Sequence, residues 1–250
     1  MRFGLMVGFR ADLCSEIKFA KSHFDFIEIT IPPEVLKEID NVFYDIKDVL
    51  GDSETLGHIH WKITDFGDIA KNIEALKRLG AKKVTIHPFQ DLSIEENVRI
   101  LNQINSFSKN NKIELLIENV SNPLYGSVKI MAELFERVPG ACLTLDVGHA
   151  NRNSELDGFI NNFAPKIKHV HLHYNIGDSD HLFYDKKEEL DKILSKISSF
   201  GYDGTVLLET FSVMENGKSV SQGFSGIKKL QTEQLEKIRT YDKNREIQAF

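Results

Sequence analysis

One alternation constrains this chain more than any other feature. Short runs rich in β-branched and aromatic residues take turns with longer stretches of helical period, eight times over, with no break in composition. The strand-like runs cover residues 2–9, 25–31, 55–61, 82–88, 113–120, 141–146, 167–175 and 205–211. Between them apolar residues recur three and four apart. Ile69, Ile73, Leu76 and Leu79 are one such set, and Leu190, Ile193, Leu194 and Ile197 another; this is the spacing of a single buried helix face. The boundaries carry their own signals. Asp12 is placed to cap the first helix, and Pro33 to start a helix that runs to about Leu50. Ser93 with Glu96 has the capping-box spacing, and Gly80 follows a helix end. Strands that alternate with helices pair in parallel, because each helix returns the chain to the same end of the sheet. Eight such units in 250 residues predict an α/β fold, a (β/α)₈ barrel formed as one domain over residues 1–250. The alternative is a doubly wound open sheet. It is disfavoured because no glycine-rich nucleotide loop follows the first strand.

Charge and cysteine usage narrow the partners. A net charge of −6 and a pI near 5.9 give no general attraction to nucleic acid or to anionic membranes. No run of about 18 apolar residues is present, so no membrane partner is expected. Cys14 and Cys142 stand far apart with no CxxC spacing, which reads as a reduced, cytoplasmic protein. The oligomeric state is left open.

Residues 167–183 hold four of the nine histidines. His169, His171 and His173 alternate with Val170 and Leu172 and so share one face of a strand. In a parallel barrel the chemistry sits at the C-terminal ends of the strands. Those ends carry Glu28 on the second strand, His60 on the third, His87 on the fourth and Glu118 on the fifth. The sixth has Asp146, with His149 three residues on, an approach assigned to Gly148. The seventh has His171, with His181 in the loop after it, and the eighth has Glu209. Such groups are costly to bury unless they are paired or bound to a cation.

Glu118, Asp146, His171 and Glu209 form an oxygen-rich set with one nitrogen, suited to Mn²⁺, Mg²⁺, Co²⁺ or Zn²⁺. Adding His60, His87, His149 and His181 makes a nitrogen-rich neighbour that favours zinc. One to three divalent ions are expected. His58 and His169 lie one layer deeper and read as core histidines. Glu28 reads either as a contact that orients a ligand from behind or as a substrate contact, and His173 and Asp180 read as substrate contacts. Residues 217–226, rich in Gly and Ser, read as a loop before the last helix. Lys218 and Ser225 are its candidates for holding a phosphate against a helix N-terminus.

The motifs IHPF at His87, IEN at Glu118, LDVGH at Asp146–His149, HVHLH at His169–His173 and LET at Glu209 occur together. In this combination the chain resembles, along its whole length, the xylose isomerase-like barrel superfamily. That group includes sugar and sugar-phosphate isomerases and epimerases, and the endonuclease IV family. The resemblance matches Glu118, Asp146, His171 and Glu209 to the single-metal tetrad of the epimerase branch. There the metal holds two neighbouring oxygens of a sugar, and Glu118 and Glu209 would be the catalytic pair that moves the proton. With His60, His87, His149 and His181 added, the same residues resemble most of the trinuclear zinc set of the endonuclease branch, which holds a phosphodiester and activates water. Two departures stand out. The endonuclease pattern after the seventh strand is Asp-x-His, but here Ser179 stands two before His181, flanked by Asp178 and Asp180. Phe211 follows LET where that pattern has proline. The cations Lys62, Lys218, Lys228 and Lys229 are scattered and form no basic strip. The resemblance therefore implies a metal-dependent isomerase or epimerase of a sugar, a sugar phosphate or a related hydroxy-carbonyl compound. A zinc-dependent AP endonuclease is the alternative, with DNA the less favoured partner.

Overall fold

The eight alternations close on themselves in the computed structural model, which describes residues 1–8, 12–177, 179–215, 218–221 and 224–248. At 215, 218, 219, 221, 224 and 245–248 it describes the backbone alone. In chain order the first half comprises β1 (Arg2–Val7), α1 (Leu13–His23), β2 (Phe26–Thr30), α2 (Pro33–Lys37), α3 (Ile39–Leu50), β3 (Thr55–His58), α4 (Phe66–Arg78), β4 (Lys83–Ile86), α5 (Ile94–Asn110) and β5 (Glu114–Glu118). The second half comprises α6 (Val128–Arg137), β6 (Cys142–Asp146), α7 (Val147–Arg152), α8 (Leu156–Phe163), β7 (Ile167–Leu172), β8 (Tyr174–Ile176), β9 (Ser179–Leu182), α9 (Lys187–Ser199), β10 (Thr205–Leu208), β11 (Ser212–Glu215), β12 (Lys218–Ser221) and α10 (Phe224–Gln248). The barrel runs β1-β10-β7-β6-β5-β4-β3-β2 and closes. Each neighbouring pair in it is parallel. The open-sheet alternative is therefore excluded.

The local signals act as their chemistry requires. Asp12 accepts from Ser15 N, Ser93 and Glu96 form the reciprocal capping box, and Gly80 takes the left-handed φ of +103° just past α4. One expected helix is two: the stretch from Pro33 breaks at Glu38 (φ −110°, ψ 15°), which ends α2 and starts α3.

The side-chain period of two then stacks the barrel interior in layers. Phe26, Leu56, Thr85, Leu116, Thr144, His169 and Leu207 each stand two residues before a strand-end side chain, and all are buried. Met6, Phe26, Leu56 and Leu207 pack together as an apolar plug, and the Thr85 and Thr144 hydroxyls meet at 2.9 Å. Burying each large plug side chain is worth roughly 1.5–3 kcal/mol. The plug closes the barrel from below, so the next layer of side chains opens only toward the mouth.

The two longest departures from the sequence reading lie at that mouth. The seventh strand stops at Leu172, and the segment read as an acidic loop is the hairpin β8–β9. Its strands meet around Gly177 (φ +55°). The segment read as a Gly/Ser loop pairs as the hairpin β11–β12, with Lys218 opposite Glu215, and α10 starts at Phe224. The two hairpins join into a small sheet through Ser212 and Leu182. Within the expected phosphate loop, residues 218–221 are thus strand and 224–226 open α10. Ser225 is exposed in the first turn of α10, and the Lys218 side chain lies outside the described residues, as does Asp178.

Candidate metal centre

Glu118, the last residue of β5, is fully buried at the centre of the strand-end layer. Its Oε2 lies 3.0 Å from His58 Nε2, 3.2 Å from His87 Nε2 and 3.4 Å from His171 Nδ1. Its Oε1 lies 3.7 Å from His149 Nδ1. Two groups of metal-capable atoms share this carboxylate: His58, His87 and Glu118; and Glu118, Asp146, His171 and Glu209. A third, His149, His173, Asp180 and His181, adjoins them. Within each, the ligand atoms lie within 4.8 Å of one another. Asp146 links the third group to the second, because His173 Nε2 sits 3.0 Å from its carboxylate.

Local sequence builds this geometry. The Asn119 side-chain amide donates to Asp146 O and its oxygen accepts from Asp146 N, both at 2.8 Å, which ties the end of β6 to β5. Asp146 then caps α7 by accepting from His149 N, and the helix turns His149 back toward Glu118. Gly148 has a different role from the one expected. A Cβ there would fall 2.0 Å from His173 Cε1, so the glycine admits the His173 ring. His181 adopts φ +51°, a left-handed conformation unusual for a side-chain-bearing residue. Its ring packs 4.4 Å from that of His173.

In the metal-free site the groups hold one another as ion pairs. Burial opposes charge on His171, but Glu118, Glu209 and Glu28 outweigh it and raise its pKa well above the usual imidazole range. Burial likewise opposes charge on His173, which Asp146 and Asp180 hold well above that range. On His87 burial is outweighed by Glu118, so its pKa is raised. Glu118 and Glu209 stay well below the carboxylate range although burial opposes it, chiefly because of His171. His181 is lowered by burial and by the His173 charge.

The donor set fits a divalent cation. His171 Nδ1 faces Glu209 Oε2 at 2.8 Å, yet neither atom makes an aligned hydrogen bond. Glu118 Oε1 and His181 Nδ1 are also buried without one. A buried polar atom left in that condition costs about 1–3 kcal/mol. A cation between the imidazole and the carboxylates would engage all their lone pairs, and carboxylate–imidazole sets of this kind suit Zn²⁺, Mn²⁺ and similar ions.

The structure brings Glu118, Asp146, His171 and Glu209 together and sets His87, His149 and His181 beside them. His60 does not join. Because β3 ends at His58, the chain turns, with Ile63 N donating to His60 O, and His60 leaves the strand period. Its ring stacks on Trp61, its Nδ1 accepts from Lys62 N, and burial lowers its pKa. His58, read as a core histidine, occupies the position expected of His60. Glu28, read as an orienting or a substrate contact, is fully buried beneath the centre, with His169 Nε2 at 2.7 Å and His171 Nε2 at 3.2 Å. His173, also read as a substrate contact, is pinned between Asp146 and Asp180 with no exposed surface. Asp180 reaches the mouth, 3.5 Å from His149 Nε2 and 3.8 Å from Arg152. His169 is fully buried and bonded to Thr205 Oγ1 at 2.8 Å, and with Glu28 and His171 it makes a further metal-capable group. The centre opens into a cavity of about 450 Å³ walled by His58, His87, His149, Asp180, His181 and Glu209, among others.

Comparison with known proteins places this geometry. The family model described as "Xylose isomerase-like TIM barrel" matches residues 50–230. The uncharacterized protein MJ1614 of Methanocaldococcus jannaschii is 27% identical over 140 residues, 48% of this chain and 55% of that protein. The chain thus spans about half the length of the curated relatives it matches. A D-allulose 3-epimerase from Methylomonas sp., solved with D-allulose, superposes with a TM-score of 0.74 at 16% identity, over 96% of this chain and 97% of that one. Endonuclease IV from Thermus thermophilus superposes with a TM-score of 0.69 at 14% identity, over 98% and 100%. At these identities the solved structures establish the shared barrel and no more.

Proposed function

The chain belongs to the xylose isomerase-like TIM barrel family, and within it we propose a divalent-metal-dependent hydrolase of phosphoesters, built on a centre of two or three ions. The observation that carries this reading is the position of Glu118, a carboxylate shared between adjoining ligand groups. A carboxylate that removes a proton from carbon needs an oxygen turned to the substrate. Glu118 is fully buried, with its Oε2 set among His58, His87 and His171 and not turned to the cavity. A carboxylate shared by two ions would need ligand groups at both oxygens, and Glu118 has them: Oε2 faces His58, His87 and His171, and Oε1 faces His149.

One ion would be held by Glu118, Asp146, His171 and Glu209, and a second by His58 and His87 with Glu118 shared. His149, His173, Asp180 and His181 would be the ligands for a third. Bound there, divalent ions supply Lewis acidity toward a phosphoryl oxygen and lower the pKa of water. The chain's own residues set the frame for that chemistry. Glu118 fixes the spacing of the groups, Asn119 fixes the end of β6, and the plug beneath excludes water from below. Arg152 brings positive charge to the rim beside Asp180.

A second reading is the metal-dependent isomerase or epimerase of a sugar or sugar phosphate. The net charge of −6 favours it over action on duplex DNA, and Glu118 and Glu209 both flank His171 Nδ1. One experiment separates the readings. Metal-free protein is reconstituted with Zn²⁺ or Mn²⁺. Bound metal, cleavage of bis(4-nitrophenyl) phosphate and of an abasic oligonucleotide, and solvent deuterium exchange into D-allulose and ketose phosphates are then measured. Two or more ions per chain with ester cleavage support the hydrolase. One ion with deuterium exchange and no cleavage replaces it with the isomerase.

A further inference from the structure

The cavity above the metal centre continues sideways. His60, Trp61, His87 and Gln90 line both that cavity and a second one, of about 560 Å³, formed by the chain that follows β3 and β4. The inner wall of the second cavity is apolar: Ile59, Ile63, Ile86 and Pro88 are buried there. Its volume is that of a site for an organic molecule, far beyond what a phosphate needs.

Trp61 stands where the two cavities meet and is 61% exposed. An indole left this open beside a polar cavity is a ready surface for a flat partner. Its ring lies 5.7 Å from the His60 ring at an interplanar angle of 20°, and His60 is itself fixed by the turn that follows β3. Lys62 Nζ sits over the indole, 5.1 Å from its centroid, so an incoming ring meets the ammonium at the platform. Apolar walls, an exposed aromatic platform and an adjacent ammonium are the elements that bind a ring carrying an anionic group. Thr64, Gln90 and Asp91 add polar groups to the same cavity, placed to meet the edge of a ring whose face lies on the indole. An abasic site has no base to fill it.

We propose that this side cavity is a ring-binding subsite. It takes the nucleobase or other flat aromatic group of a phosphoester, stacked on Trp61, while the phosphate lies at the metal centre. The inference rests on the phosphoester reading above and names the organic half of the substrate.

Trp61 is the only tryptophan in the chain, so intrinsic fluorescence reports on the platform alone and needs no turnover. Zinc-loaded protein is titrated with adenosine 5′-monophosphate and, separately, with ribose 5-phosphate. Saturable quenching by the nucleotide and none by the sugar phosphate is expected; equal responses, or none, overturn the subsite. In parallel, KM is measured by release of inorganic phosphate for adenosine 5′-monophosphate and for ribose 5-phosphate, which differ by the flat ring. Trp61→Ala is expected to raise the first KM at least about fivefold more than the second, the scale of one lost base–aromatic stack, and Trp61→Phe to restore most of it. An equal rise for both esters overturns the proposal. Quenching without cleavage of either ester would keep the ring subsite and remove the hydrolase. Cleavage without quenching would do the reverse.

Discussion

Glu28 Oε1 lies 3.2 Å from His171 Nε2, which leaves the other ring nitrogen, Nδ1, facing Glu209 at 2.8 Å and Glu118 at 3.4 Å. Behind Glu28 stands His169, and behind His169 the Thr205 hydroxyl. This buried row fixes which nitrogen of His171 a metal would meet. Losing such an orienting contact costs about 10–100-fold in metal affinity. Glu28→Gln keeps the shape of the side chain and is expected to weaken zinc binding by that factor in calorimetry. The ¹⁵N shifts of His171 should report a changed tautomer. Unchanged affinity and unchanged shifts would mean that Glu28 only fills space.

The same carboxylate sets a limit in acid. Burial works against its charge, but His169 and His171 hold its pKa at about 2, below the ordinary 4.5. A folded-state pKa below the unfolded one adds stability that is complete above about pH 4.5 and is lost as pH falls toward 2. The contribution is about 3 kcal/mol at most. Urea unfolding of metal-free protein should show stability falling across that window, and less steeply in Glu28→Gln. Parallel slopes would refute the assignment.

Metal binding should release protons. His171 and His173 are held well above the usual imidazole range in the metal-free protein by the carboxylates that would share a cation with them. A ligand imidazole must be free of its proton at the coordinating nitrogen. Zinc titrations at neutral pH in two buffers of different ionisation enthalpy should therefore give heats that differ, corresponding to roughly one or two protons released per chain. Identical heats would show that these imidazoles are already neutral.

The barrel was legible because its signals are local and repeat. Helical spacing, the capping box at Ser93 and strand runs that end in ionisable groups all follow from neighbours in sequence, and the strand-end rule picks out Glu118, Asp146, His171 and Glu209, which the fold brings together. The misreadings come from where a strand stops. His58 and His60 have the same parity, and only the turn after β3, set by tertiary pairing with β4, decides which one points into the barrel. The hairpins β8–β9 and β11–β12 meet where β9 pairs with β11, segments distant in sequence, a pairing that no local pattern announces. Which of the two roles Glu28 takes depends on His169 and His171, some 140 residues away.

Gly148 gives a test of the third ligand group. An alanine Cβ would fall 2.0 Å from His173 Cε1 and 2.3 Å from Nδ1, inside contact distance, so the ring must move off Asp146. Alanine is also a better helix former than glycine, by about 1 kcal/mol, so α7 itself is not put at risk. Overpacking of this kind costs about 1–3 kcal/mol. Gly148→Ala is expected to lower the melting temperature modestly and to lose one ion per chain where wild type binds three. A variant with wild-type metal content would show that His173 and its neighbours do not hold an ion.

His58 and His60 divide the structural reading of the centre from the one the sequence favours. His58 Nε2 is 3.0 Å from Glu118 Oε2 and its Nδ1 is 3.0 Å from Ile59 O, so the ring is oriented by the backbone with one nitrogen turned to the shared carboxylate. His87 approaches the same oxygen at 3.2 Å. His60 is instead engaged by the Lys62 N–H and the face of Trp61, on the wall between the two cavities. Metal analysis of three single variants separates these roles. His58→Ala and His87→Ala should each lose about one ion per chain, because a site with one imidazole and a shared carboxylate has too few ligands. His60→Ala should keep its metal and instead raise KM, through loss of the surface that supports Trp61. If His60→Ala loses metal and His58→Ala does not, the third strand continues its period past His58, and the centre is the one read from the sequence.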